Sequence, residues 1–243
     1  MTLDLHIRKT VGPHRQHRGG RHPGSTFELD VRLQSEARRI VIVGPSGAGK
    51  SLALQAIAGL LRPDEGHIRL NGETLFDAKQ NIFLPPQARH MGFLFQDYAL
   101  FPHLTVRQNI GFPLVRSWFN PRRRHHDARV DHWLDIFQLK NLADQYPAEL
   151  SGGQRQRTAL ARAVVSEPRA LLLDEPFSAL DPHLRQRMRQ ALLALQQRLD
   201  VPMILITHDP EDATVLGEHV VQLAAGRVTH NTPAPAPTPG CSL

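Results

Sequence analysis

Apolar and polar residues alternate from Phe27 to Leu33. Phe27, Leu29, Val31 and Leu33 share one side, the period of a half-buried strand, and all four are expected to face a core. Ile40 to Val43 is a β-branched run, suited to a strand buried on both faces. A glycine-rich turn follows it, and Lys50 to Leu61 reads as a helix stopped before Pro63. His67–Leu70 and Met91–Phe95 read as further strands. Val130, Trp133, Leu134 and Phe137 form a helical stripe, and Gln154 to Val165 reads as another helix. Leu171–Leu173 is an apolar strand. His183 to Leu199 is a long helix with an apolar face of Leu184, Met188, Ala191, Leu192, Leu195 and Leu199. Pro202 precedes the strand Met203–Thr207. Two segments dense in His and Arg, Val11–Ser25 and Trp118–His126, have no apolar period and read as loops. Prolines at 233, 235, 237 and 239 make the tail extended or disordered. Buried strands separated by helices imply an α/β fold with a parallel sheet flanked by helices, interrupted by a helical insertion.

Composition narrows the class. A chain of 243 residues makes one large domain or two small ones, and 41% hydrophobic with 21% charged residues excludes wholesale disorder. The net charge of +6 suits a nucleic acid, an anionic membrane surface or a phosphorylated ligand, without choosing among them. Cys241 is the single cysteine, which excludes an intramolecular disulfide and a cysteine-based metal site. No apolar stretch approaches the roughly 18–20 residues of a spanning helix, and the N-terminus has no signal-type apolar run. The expectation is a cytosolic protein. The histidines His14, His17, His22, His125 and His126 read as solvated loop residues rather than a metal site, because no carboxylate partner or helical i,i+4 pair accompanies them.

The chemistry begins at Gly44-Pro45-Ser46-Gly47-Ala48-Gly49-Lys50-Ser51, which fits G-x-x-x-x-G-K-[ST] between a strand and a helix. Its glycines let backbone N–H groups wrap phosphate oxygens, and the helix N-terminus adds partial positive charge. Lys50 can neutralise β/γ oxygens, and the Ser51 hydroxyl can ligate Mg²⁺. The bland alternative is a glycine turn, which the flanking strand and helix disfavour. Leu171-Leu172-Leu173-Asp174-Glu175-Pro176 ends an apolar strand in two acids. Alone it is an ordinary strand end. Beside a phosphate loop, Asp174 can hold Mg²⁺ and Glu175 can polarise an attacking water.

Between these motifs stands Leu150-Ser151-Gly152-Gly153-Gln154. A Ser-Gly-Gly turn opening a helix makes a second anion cradle. Two cradles in one chain make sense if each meets a different face of one nucleotide. With this string the chain resembles the nucleotide-binding subunits of ATP-binding cassette (ABC) transporters. The resemblance implies a P-loop NTPase of the ABC type, a RecA-like mixed sheet core with a helical subdomain inserted. It places the ATPase domain at 1–230, with the core at about 1–95 and 167–230, the helical subdomain at about 96–166, and the proline-rich tail at 231–243. It implies ATP and Mg²⁺. ATP would be held by Gly44 to Ser51 of one chain and by Ser151, Gly152, Gly153, Gln154 and Asp181 of another, head to tail. Gln96, in Phe95-Gln96-Asp97, resembles the glutamine that meets Mg²⁺ and the attacking water. Ser51, Gln96 and Asp174 are the implied Mg²⁺ contacts. Ser178-Ala179-Leu180-Asp181 resembles the loop that crosses the dimer. His208, in Thr207-His208-Asp209, resembles the histidine that meets the γ-phosphate. Glu175, His208 and Gln96 are thus the implied catalytic set. Taken alone, His208 reads as an ordinary strand-end histidine.

The resemblance covers about Leu3 to Val228. Ala58 to Pro63, Leu70 to Asp77, Ile82 to Pro86 and Gly92 to Val106 look like the importer type, most of all the molybdate/tungstate importer ATPases; sulfate, polyamine and sugar importer ATPases carry similar strings. The implied partners are a second ATPase subunit, integral membrane permease subunits and, indirectly, a solute-binding protein, with no nucleic acid. The implied place is the cytoplasmic face of the membrane, peripheral. Chromosome and repair ATPases share the motifs but separate them by a long coiled coil, and no sustained heptads occur here. Ribosome-acting cassette proteins carry two cassettes; this chain has one. A non-catalytic module is disfavoured because Lys50, Gln96, Glu175 and His208 are all present. Phe101, Pro102 and Leu104 are the expected apolar contact for a permease helix. Two departures stand out. Molybdate-type and sugar-type ATPases usually continue into a β-rich regulatory domain, where this chain has only the proline-rich tail. The window Gly19–Gly24, where relatives stack an aromatic ring on adenine, has no Phe, Tyr or Trp. His22 or Arg21 could stack instead.

Overall fold

The computed structural model describes residues 1–12, 26–115, 121, 127–178 and 180–233. The expected loops around 13–25 and 116–126, with their histidines, Arg21 and Trp118, and the tail with Cys241, lie outside the described residues. The strands are β1 Leu3–Val11, β2 Phe27–Ser35, β3 Arg39–Val43, β4 Glu65–Leu70, β5 Glu73–Asp77, β6 Ile82–Phe83, β7 Met91–Leu94, β8 Ala170–Asp174, β9 Met203–Thr207, β10 His219–Ala224 and β11 Arg227–Pro233. The α-helices are α1 Lys50–Ala58, α2 Pro86–Arg89, α3 Val106–Gly111, α4 Ala128–Ile136, α5 Gly152–Val164, α6 Pro182–Leu199 and α7 Pro210–Leu216. They fall into two compact units, Met1–Arg89 with Ile206–Leu243, and His90–Leu205.

In the first unit the strands run in the order β6-β5-β4-β1-β2-β11-β10-β3. β1 lies antiparallel between β2 and β4, with Leu5 opposite Leu33 and Ile68. That register puts Leu3, Leu5, Ile7, Val31, Leu33 and Ile68 on one buried face. The other face carries ion pairs such as Arg8–Asp30 at 3.1 Å, which solvent screens. Phe27 is only half-buried at the strand's start, so it is not the core residue that its alternation suggests. β3 runs parallel to β10, and Ile40, Val41 and Ile42 along it are all buried. α1 stops at Ala58, short of the expected Leu61, because the chain turns at Gly59, whose N–H returns to Ala56 O. Arg89 is fully buried and holds the end of that helix. Its guanidinium donates to Ala56 O, Ile57 O, Leu84 O and Leu75 O. Burial pulls its pKa down to about 10.

In the second unit β9, β8 and β7 are neighbours in that order, and β8 is buried at every residue. The expected stripe Val130, Trp133, Leu134 and Phe137 is buried along α4 and its C-terminus. α6 buries Met188, Leu192 and Leu195, whereas Ala191 is exposed and Leu199 half-buried; the buried stripe is narrower than the sequence suggests. The Leu184 side chain lies outside the description. Leu104 is also core, at 2% exposure, rather than the surface contact expected of it. It precedes Thr105, which caps α3 with a capping box and draws Leu104 inward. Phe101 and Pro102 stay at least partly exposed, and the Phe101 ring lies tilted against exposed Phe112 with ring centroids 4.4 Å apart. Among the described residues no helix is long and apolar enough to cross a membrane.

Candidate functional site

In the first unit the phosphate loop leaves the C-terminal end of β3 and runs into α1. Gly44 passes so close to β10 that a Cβ there would sit 2.0 Å from Leu223 O. The loop is tied down from behind: Ala48 N–H donates to Pro45 O at 3.2 Å, and Gly226 N–H to Ala48 O at 3.0 Å. Gly49 is the N-cap of α1 with φ 95, a left-handed conformation, and offers no side-chain cap. A side chain there would strike Leu29 Cδ1 at 2.7 Å and the Phe27 ring at 3.0 Å. Phe27 thus buttresses the loop. α3, α4, α5 and α7 are each capped by a side chain, from Thr105, Asp127, Ser151 and Asp209. α1 instead leaves its first-turn donors to an anion.

Lys50 supplies the charge. It is 6% exposed, and its Nζ donates to Gly44 O at 2.8 Å and Pro45 O at 2.9 Å. A buried ammonium held by two carbonyls of its own loop suits an incoming phosphate. Pro45, Ser46 and Gly47 are exposed at the loop's rim, and Ser51 is half-buried in the first turn of α1. His208 belongs to this unit too. It is exposed just after β9. Its neighbours are fixed by a motif the sequence did not reveal: buried Thr207 donates through Oγ1 to Asp212 Oδ2, and Asp209 N–H donates back to Thr207 Oγ1 at 3.0 Å.

The second unit gathers Gln96, Asp174, Glu175, Ser151, Gly152, Gly153, Gln154 and Asp181. β7 and β8 are parallel, with Leu94 opposite Leu173. The residues just beyond each strand therefore emerge together, and Gln96 Nε2 donates to Glu175 Oε2 at 3.4 Å. Asp174 is buried at the strand end. Glu175 is half-exposed and takes φ 46, a left-handed value that a residue with a side chain holds only at a cost. Ser178 pins that turn, its Oγ donating to Glu175 O at 3.1 Å. Ser151 is exposed and starts α5: its Oγ accepts from Gln154 N–H at 3.3 Å, and Gln154 Oε1 accepts from Ser151 N–H at 2.7 Å. Asp181 is exposed ahead of α6 and its carbonyl accepts from Arg185 N–H at 2.9 Å. The hydroxyl, amide and carboxylate oxygens of Ser51, Gln96 and Asp174 are the hard donors that Mg²⁺ takes. Among the described residues no group of three or more His, Cys, Asp or Glu could itself hold a metal ion.

The ABC transporter family model matches residues 28–178. A sulfate/thiosulfate import ATP-binding protein of Nephroselmis olivacea is 47% identical over 84% of this chain and 58% of its own length. A molybdate/tungstate import ATP-binding protein of Archaeoglobus fulgidus is 43% identical over 83% of this chain and 80% of its own length. A spermidine/putrescine import ATP-binding protein of Chromobacterium violaceum is 44% identical over 82% of this chain and 53% of its own. The chain thus spans little more than half the length of the sulfate and polyamine relatives. Among solved structures, the dimeric post-hydrolysis state of the ATP-binding cassette MJ0796 bound to ADP and Pi superposes with a TM-score of 0.75, at 29% identity over 96% of this chain and 99% of that one.

Proposed function

The chain belongs to the ABC transporter family, and from that membership we propose that it is the ATP-hydrolysing subunit of an importer. The observation that carries the reading is Lys50: a buried ammonium held by two loop carbonyls, at the mouth of a helix without a side-chain cap. Phosphate oxygens replace those carbonyls as its partners. Asp174, Ser51 and Gln96 would hold Mg²⁺, which neutralises charge on the phosphates when bound. Glu175 accepts the proton of the attacking water, Gln96 steers that water, and His208 meets the γ-phosphate. Ser151, with Gly152, Gly153, Gln154 and Asp181, completes the site of a second copy of this chain.

The solute is proposed at the level of class. Relatives named for sulfate/thiosulfate reach 48% identity and the one named for molybdate/tungstate 43%, so these support a tetrahedral oxyanion without the preference for molybdate drawn from the sequence. The polyamine relative, at 44%, fits an ATPase that does not read the solute. Permease subunits then hold this chain at the cytoplasmic membrane face, docking on half-buried Phe101 with exposed Pro102 and Phe112. Glu175→Gln tests the chemistry: hydrolysis falls to background while ATP binding persists. Turnover at the wild-type rate overturns the assignment.

A further inference from the structure

Helix α5 starts at Ser151, and two of its side chains end on the two turns that carry Glu175 and Gln96. Gln156 donates to Pro176 O, in the turn after Glu175. Arg162 donates to Tyr98 O and to Ala99 O, each at 2.7 Å, in the turn after Gln96. That turn is strained. Tyr98 has φ 64 and Ala99 φ 42, two successive residues with side chains in the left-handed region. Such backbone persists only where its surroundings over-determine it. Within the turn, Tyr98 N–H donates to Phe95 O at 2.9 Å and Ala99 N–H to Asp97 Oδ1 at 3.2 Å. Those bonds use the donors; Arg162 takes the carbonyls. Its guanidinium is buried at 9% exposure and lies 5.6 Å from the centroid of the Phe101 ring. Burial lowers its pKa, a cost that an ordinary surface arginine does not carry. A planar fork reaching two adjacent carbonyls is geometry that lysine cannot copy.

We propose that Arg162 is a positioning residue for Gln96: it clamps the left-handed Tyr98–Ala99 turn and so holds the Gln96 amide against Glu175. Because the same helix begins at Ser151, the clamp also ties the hydrolytic pair to the helix start that meets a second copy's nucleotide. The proposal rests on the reading of Gln96 as a hydrolytic residue.

The test is a double-mutant cycle on the full chain, reading Mg-ATP hydrolysis and amide exchange. Arg162→Met lowers kcat by about 10- to 100-fold and changes KM for ATP by less than about threefold, the pattern of a lost transition-state interaction. Arg162→Met combined with Gln96→Ala is no slower than Gln96→Ala alone, within about twofold. Amide exchange at Tyr98 quickens about tenfold or more in Arg162→Met, while amides of α1 keep their rates. Ala99→Gly, which removes the strain at one of the two residues, recovers at least about fivefold of the lost kcat. Should Arg162→Met fail to fold, Arg162→Lys keeps the charge without the fork and is expected to show the same pattern. Additive losses in the cycle, unchanged exchange at Tyr98, or no rescue by Ala99→Gly overturn the proposal. Slow Gln96→Ala beside wild-type Arg162→Met overturns the clamp alone. Wild-type turnover in Gln96→Ala overturns the reading of Gln96, and the clamp with it.

Discussion

The chain contains two helix starts suited to anions, and they are built differently. α1 opens from Gly49 with no side-chain cap, beside the buried ammonium of Lys50. α5 opens from Ser151, whose hydroxyl already accepts from Gln154 N–H. The first offers an anion backbone donors and one lysine. The second is satisfied by itself and exposed, so a phosphate must exchange with its own cap. A permanently open start suits a nucleotide's resident cradle. A closed one suits a contact made only when a second chain arrives.

Lys50→Ala breaks the first cradle outright. Hydrolysis should fall about 100- to 1,000-fold, with ATP affinity weakened, because the loop loses its only proposed charge for the phosphates. Equilibrium binding and steady-state rates check this; near-normal turnover would mean that the loop is not where the phosphates sit.

The two glycine positions sharpen the contrast on stability alone. Gly49→Ala meets both a left-handed φ and Leu29 Cδ1 at 2.7 Å, so it should cost about 1–3 kcal/mol. At about 2–4 °C per kcal/mol for a chain this size, the melting temperature drops visibly. Gly152→Ala has open space around it in the first turn of α5. It should be neutral or stabilise by up to about 1 kcal/mol. Equal losses at the two sites would mean that the two helix starts do not differ in this way.

Ser151→Ala removes the cap, about 1 kcal/mol of stability, and with it the donor offered to the second nucleotide. Ser151→Asp keeps a cap and adds favourable charge at the helix start, so it should melt at or above the wild-type temperature. Both should nonetheless lose hydrolysis: alanine lacks the hydroxyl donor, and a carboxylate repels the phosphate. Activity that follows melting temperature rather than phosphate compatibility would count against the role of Ser151.

The smallest expected effect concerns the base. The residues Gly19–Gly24 carry no Phe, Tyr or Trp, and the Phe27 ring rests on Gly49. Most affinity then comes from the triphosphate, which ATP and GTP share. Their KM values should lie within about tenfold, or about 1.4 kcal/mol. A larger preference that vanishes in Phe27→Ala would make that ring a reader of the base.

Phosphate chemistry was legible in the sequence because its parts are contiguous: a loop, a lysine and a hydroxyl must follow one another to wrap one anion. Long buried elements were legible too, as in β9 and the α4 stripe. What escaped depends on pairing between distant segments. β1 went unread although Leu3, Leu5 and Ile7 alternate, because the face they share is completed by β2 and β4. The meeting of Gln96 with Glu175 depends on the register of β7 and β8, which resemblance alone suggested. Leu104 looked like surface since its burial follows from the cap of the next helix. Arg89 and Arg162 look like solvated cations in isolation; their partners are backbone carbonyls, which leave no mark in a sequence.

A nucleotide shared by the open cradle of one chain and the capped helix of another is the central expectation. Sedimentation of Glu175→Gln tests it most directly, since ATP then persists in the site. With Mg-ATP the variant should sediment as a dimer, and adding Ser151→Arg should return it to a monomer that still binds ATP. A monomer in both cases, or a dimer indifferent to Ser151→Arg, would contradict the shared site.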